Sequence, residues 1–353
     1  MSTMRAFITD GNGGGSVQPV SRPTPGRGEI LVKIHYAALN PGDWRLVEGG
    51  VAAGPALPGF ISGCDFAGTV EDANGSHWNT GHRIGGWVHG TTYQGIGAFA
   101  EYLTIGATLV FSIPDNISFQ KASTISLAYA TATQAMYRQM SLPEPYNDNH
   151  SREFFLIYGA STSVGQYAVQ LGHLSGLRVI AIASEKNHEL LKRLGADITL
   201  DYHDDDWVDR VKETTQDKLR YALDIIAEGG SSEKVASALG RSNEAHLVAL
   251  TLVDKEALRA INSYIKIEAI ITFTVFGKPL AYTMFDNVGG ATPEDKRAWE
   301  EEYLRWVPKM LEQGDLKPNH VREVGTLDDV LEGFRLSKEG KLSAEKAVFK
   351  VAQ

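Results

Sequence analysis

Residues 153–166 read EFFLIYGASTSVGQ. The apolar run Glu153–Tyr158 ends in the small-residue turn Gly159, Ala160, Ser161, Thr162, Ser163, Val164 and Gly165, after which helix-compatible sequence continues to Ser175. A strand, a tight turn and a helix in that order open a βαβ unit. Small residues let the backbone approach a pyrophosphate, and a helix N-terminus offers unpaired N–H groups and the positive end of its dipole. Ser161 and Thr162 stand where the glycine-rich form of this turn has glycines. Close packing of helix on strand would call for the same small residues, and the turn alone leaves both readings open.

The sequence beyond the turn continues the alternation. Gly176 leads to the apolar run Arg178–Ala183, then to a helix over Asn187–Leu194 stopped by Gly195. Short apolar runs recur at Ile198–Leu200, Tyr221–Ile226 and Ala245–Leu250 between helix-like segments, and the β-branched run Ile267–Phe276 is the expected last strand. This spacing predicts a parallel sheet. In such a fold the end of the second strand selects the cofactor: a carboxylate accepts from the adenosine ribose, whereas small polar and basic groups admit a 2′-phosphate. Ser184 takes that position, with Lys186 and Asn187 beside it and Tyr202 closing the next strand. The set favours NADPH over NADH, although Glu185 is a candidate ribose acid. Taken singly, Lys186 reads as solvated and Ser184 as a helix cap.

Residues 1–125 have a different texture. Glu29–Ala38, Cys64–Val70, Arg83–Val88 and Ala98–Ile105 are short β-rich runs punctuated by Gly and Pro, which predicts an all-β, barrel-like module. Ser123–Met140 is helix-compatible, and Pro293–Gln313 is a charged amphipathic helix with Trp299, Leu304, Val307 and Leu311 for its apolar face. The expected architecture is α/β: a Rossmann-type domain at 126–276 inserted into a mainly β domain of residues 1–125, to which 277–353 returns.

Composition narrows the function. Lys and Arg number 34 against 43 Asp and Glu, a formal charge of −9, which offers no basic surface to nucleic acid or anionic lipid. Cys64 is the only cysteine, so a disulfide framework and a multi-cysteine zinc site are excluded. With no signal-peptide pattern and no apolar stretch of membrane-spanning length, a cytoplasmic enzyme is expected.

The phrases ALNPGDW (residues 38–44), GCDFAGTV (63–70), the Gly159–Gly165 turn and LGAD (194–197) resemble the medium-chain dehydrogenase/reductase superfamily, and the similarity covers nearly the whole chain. ALNPGDW and GCDFAGTV, together with Val275–Lys278 (VFGK) and Glu339–Lys346 (EGKLSAEK), are further similar to the fungal trans-acting enoyl reductases of polyketide synthesis, within the zinc-independent quinone oxidoreductase and enoyl reductase branch. The resemblance implies a GroES-like first domain. It also puts Asn40 at the position of a catalytic zinc cysteine and Cys64 at that of the histidine. It implies NADPH-dependent hydride transfer to an α,β-unsaturated carbonyl, with a polyketide presented by a carrier protein or synthase as substrate.

The resemblance also supplies the catalytic candidates. Arg45 sits where related reductases tend to carry Lys and is a candidate enolate donor, or a solvated loop charge. Thr131 resembles a threonine bordering the nicotinamide carboxamide, with Thr133 competing for the role. Asn40 donates to substrate or fixes its own loop through an Asx turn. Cys64, with no adjacent base, reads as core, and no metal ligand set is expected. Gly277–Gly290, with Tyr282, Met284 and Phe285, lines a substrate channel or simply packs. A free-standing quinone or enone reductase and a non-redox cyclase or scaffold are the competing functions.

Overall fold

The computed structural model describes residues 2–49, 56–146, 152–241, 244–277 and 293–351. They form two compact units, one of Met1–Leu127 with Phe273–Gln353 and the other of Ala128–Thr272.

In the second unit six parallel strands run in the order Ile198–Leu200, Arg178–Ile182, Phe154–Tyr158, Tyr221–Asp224, His246–Ala249, Lys266–Ala269. Numbered along the chain this is 3-2-1-4-5-6, the doubly wound order, whose strand order reverses beside Phe154–Tyr158. Leu156, Ile180, Ala222 and Leu247 are fully buried, as strands covered by helices on both faces require. One row of paired residues, Leu200, Ile182, Tyr158, Asp224, Ala249 and Ala269, forms the carboxyl edge of the sheet. Every turn that follows therefore emerges on one side.

The expected last strand, Ile267–Phe276, is a correction. Only Lys266–Ala269 pairs with its neighbour, and Thr272–Phe276 is a 3₁₀ turn. The neighbouring strand ends at Ala249, so no ladder remains to extend the pairing. Aromatic contacts take over: Phe276 lies 4.5 Å from the Trp87 ring and Phe273 stacks on His89 at 3.7 Å.

The first unit is built on the strand Glu29–Ala38. One edge pairs along its length with Asp65–Asp72. The other is shared, by Tyr102–Gly106 against its first half and by Glu345–Lys350 against Tyr36–Ala38. Two register shifts bend the strand between these partners. The curled sheet closes over Ile30, Val32, Ile34, Phe66, Phe99 and Phe349. A hairpin not anticipated from the sequence, Thr3–Thr9 with Gly15–Ser21, lies at the N-terminus. The helix expected at Pro293–Gln313 is present, with a π-turn at Trp299–Tyr303, and buries Trp299, Leu304, Val307 and Leu311. Tyr282, Met284 and Phe285 lie outside the described residues.

Candidate active site

The turn after Tyr158 is fitted closely to its surroundings. Gly159 has φ +80°, and the amides of Gly159 and Ala160 both donate to the Ile182 carbonyl at 3.1 Å. A methyl group on Gly165 would press into the carbonyl oxygens of Gly159 and Ala160, so helix Ser163–Leu174 starts directly against the turn. The Thr162 hydroxyl caps that helix by accepting from the Gly165 N–H at 3.1 Å. Gln166 Nε2 ties the Ser161 carbonyl at 3.0 Å. These contacts leave a rigid, small-residue turn at the N-terminus of a 12-residue helix, a shape suited to a diphosphate.

The register brings the other cofactor candidates to the same edge. Ser184 follows Ile182 by two residues, Tyr202 follows Leu200 by two, and the two hydroxyls meet, Ser184 donating to Tyr202 at 3.2 Å. Lys186 and Glu185 are exposed, and Lys186 has no carboxylate partner among the described residues. Asn187 is buried; its amide donates to the Ser184 carbonyl and closes a 3₁₀ turn. Ser184 starts that turn with no hydrogen bond from its side chain to the backbone, so its hydroxyl is not spent on capping. Asp224, unremarked in the sequence, is fully buried and accepts from the hydroxyls of Ser231 and Ser232 at 2.7 Å and from the amides of Ile226 and Ala227. It pins the next turn of the same edge.

The two threonines separate clearly. The Thr133 hydroxyl donates back into its own helix, to the carbonyls of Tyr129 and Ala130. Thr131 instead meets the Thr272 hydroxyl at 2.9 Å.

In the first unit Asn40 lies two residues beyond the end of the central strand and is the N-cap residue of helix Pro41–Glu48. Its amide oxygen accepts from Lys346 Nζ at 2.9 Å, and its Nδ2 donates to Asp65 Oδ2 at 2.9 Å. Lys346 and Asp65 are an ion pair at 2.6 Å with side chains 3% and 0% exposed. The ammonium also reaches the Thr124 carbonyl at 3.3 Å, and Asp65 Oδ1 accepts from the Leu127 amide at 2.7 Å. Asp65 and Lys346 both lie in the phrases that carry the resemblance, GCDFAGTV and EGKLSAEK, but neither reads there as a site residue. Asp43 accepts the Asn40 N–H at 2.7 Å; burial pushes its carboxyl up to about 7, against a hydrogen bond from the Cys64 thiol. Burial and the neighbouring Asp43 hold the Cys64 thiol well above its usual value, so it stays protonated. Arg45 lies on the same helix, partly exposed, its guanidinium 5.3 Å from the Trp44 ring. Val88 donates to the Cys64 carbonyl and lines a hollow of about 340 Å³ with His89, Tyr93, Ile96 and Phe276.

Both units have counterparts among known proteins. The sequence matches the alcohol dehydrogenase GroES-like domain over residues 26–115 and the zinc-binding dehydrogenase family over residues 163–285. The chain belongs to the medium-chain dehydrogenase/reductase superfamily of NAD(P)-dependent oxidoreductases. It is 32% identical to the trans-enoyl reductase ACTTS2 of Alternaria alternata over 99% of this chain and 100% of that protein. A zinc-type alcohol dehydrogenase-like protein of Schizosaccharomyces pombe is 30% identical over 99% and 100%. The CurK enoyl reductase shares the fold, with a TM-score of 0.78 over 99% and 100% of the two chains at 18% identity.

The zinc in the family's description does not fit these residues. An amide, Asn40, and a lone buried cysteine, Cys64, stand at the ligand positions the resemblance assigns. The cation held between Asn40 and Asp65 is the Lys346 ammonium. Among the described residues no three His, Cys, Asp or Glu side chains gather as a metal site.

Proposed function

We propose that this protein is a zinc-independent, NADPH-dependent enoyl reductase that reduces the C=C bond of an α,β-unsaturated thioester. Its proposed setting is cytoplasmic, in trans to a polyketide synthase that presents the substrate on a carrier protein. A reduced nicotinamide, when bound, supplies the hydride for the β-carbon. Gly159–Val164 would hold the diphosphate, with Ser184, Lys186, Asn187 and Tyr202 around the 2′-phosphate and Thr131 at the nicotinamide amide. Asn40 and Arg45 are the donors for the charge that develops on the substrate carbonyl. The hollow beside Val88 and Phe276 offers room for an acyl chain.

The observation that carries this reading is the ammonium between Asn40 and Asp65. Alcohol oxidation in this superfamily uses a metal as Lewis acid, whereas reduction of an activated alkene needs only hydride and hydrogen-bond donors. The names of the Alternaria and CurK relatives support the enoyl substrate class. No helix among the described residues is long and apolar enough to cross a membrane.

Anaerobic mixing with NADPH and a panel of enoyl thioesters tests the proposal by the loss of nicotinamide absorbance. Carrier-bound thioesters are expected to give the higher kcat/KM. A preference for free quinones or enones would favour a free-standing reductase, and no oxidation with any acceptor would favour a non-redox role.

A further inference from the structure

A buried ion pair is weak evidence for stability, because desolvation of both charges offsets most of their attraction. Lys346 and Asp65 are nonetheless the most deeply buried oppositely charged pair among the described residues, and they converge on one neutral side chain. The ammonium uses three acceptors, Asp65 Oδ2, Asn40 Oδ1 and the Thr124 carbonyl. Asp65 uses both oxygens, one on Lys346 and Asn40, the other on the Leu127 amide.

An asparagine amide is nearly symmetric in shape, and its charges alone decide which way it faces. Here the oxygen faces an ammonium and the nitrogen a carboxylate. The flipped amide would set oxygen against carboxylate and NH₂ against ammonium, two repulsions in a site with almost no water. The backbone is fixed as well, because Asp43 accepts the Asn40 N–H and donates its own N–H to the Asn40 carbonyl. Nδ2 carries two hydrogens, and one is committed to Asp65. The second has no acceptor among the described residues, and Asn40 retains 6% exposure.

We propose that Lys346 and Asp65 are positioning residues for Asn40: the ion pair locks its amide so that the remaining N–H is held as a preorganised donor for the substrate carbonyl oxygen as it gains charge. This rests on the enoyl-reduction reading. A donor already oriented needs no reorganisation when charge develops, so the lock raises kcat rather than affinity.

The test pairs kinetics with a direct view of the amide. The double variant Asp65→Leu/Lys346→Met removes both charges and leaves none unpaired. It is expected to bind NADPH and substrate with unchanged Kd and KM while kcat falls on the order of 10²-fold. Asn40→Ala should lower kcat similarly in the native background and hardly at all in the double variant. Equal losses in both backgrounds would overturn the lock, as would an unchanged kcat in the double variant. In ¹⁵N-asparagine-labelled native protein, the Asn40 side-chain pair, assigned from its loss in Asn40→Ala, should show two sharp, well-separated protons, one shifted downfield by the carboxylate. An averaged pair typical of solvated amides would overturn the lock whatever the activity, and this measurement stands if the double variant fails to fold. A native protein inert to every enoyl acceptor would instead overturn the enoyl-reduction reading, and with it the role of the N–H.

Discussion

Asp43 is a carboxylic acid with almost no water around it, and its titration should be visible in the stability of the whole fold. The unfolded group ionises from about 3.8, whereas the folded one stays protonated up to about 7. Between those values the native state binds the extra proton, so stability falls as pH rises through the window. Above it the penalty is on the order of 4 kcal/mol. Asp43→Asn should therefore flatten the stability-versus-pH curve between about 4 and 7 in denaturant titrations; an identical slope in both proteins would contradict the burial of an ionisable Asp43. Cys64 beside it should resist alkylation until the protein unfolds, since only a thiolate attacks. At the sheet edge, Ser184→Asp with Lys186→Ala should weaken NADPH binding about tenfold to a hundredfold, the worth of one charge-assisted hydrogen bond, and NADH much less. Equal losses in a fluorescence titration would contradict the cofactor choice.

At the scale of elements, the turn and its helix are one unit. Gly165→Ala should cost about 1–3 kcal/mol, because the added methyl meets backbone carbonyls with no space to yield. It should also weaken nucleotide binding; a variant matching the native protein in both thermal unfolding and NADPH affinity would contradict the close packing drawn here. What the sequence disclosed at this scale was local. Ile198–Leu200 appears as the strand expected, and Phe154–Tyr158 and Arg178–Ile182 differ from expectation by a residue, because apolar runs between turn residues carry their own period. Thr272–Phe276 misled for a tertiary reason: its β-branched residues favour a strand, yet the neighbouring strand had ended and Trp87 and His89 offered aromatic partners. Lys346 was hidden by distance. It lies 281 residues from Asp65, and although it closes the phrase EGKLSAEK, nothing near it in the sequence points to a carboxylate partner.

At the scale of the whole molecule, the proposed nucleotide edge belongs to one unit and the buried Lys346–Asp65 pair beside Asn40 to the other. Elemental analysis of the purified protein should find no stoichiometric zinc; a tightly bound equivalent would contradict the donor chemistry of Asn40, Cys64 and Lys346. The hydride itself can be followed. NADPH deuterated at C4, mixed with a carrier-bound enoyl thioester, should deliver a single deuterium to the β-carbon of the saturated product, read by mass spectrometry. A saturated product without deuterium from either face of the nicotinamide, or an alkene returned unchanged while the cofactor stays reduced, would contradict direct transfer in a metal-free site.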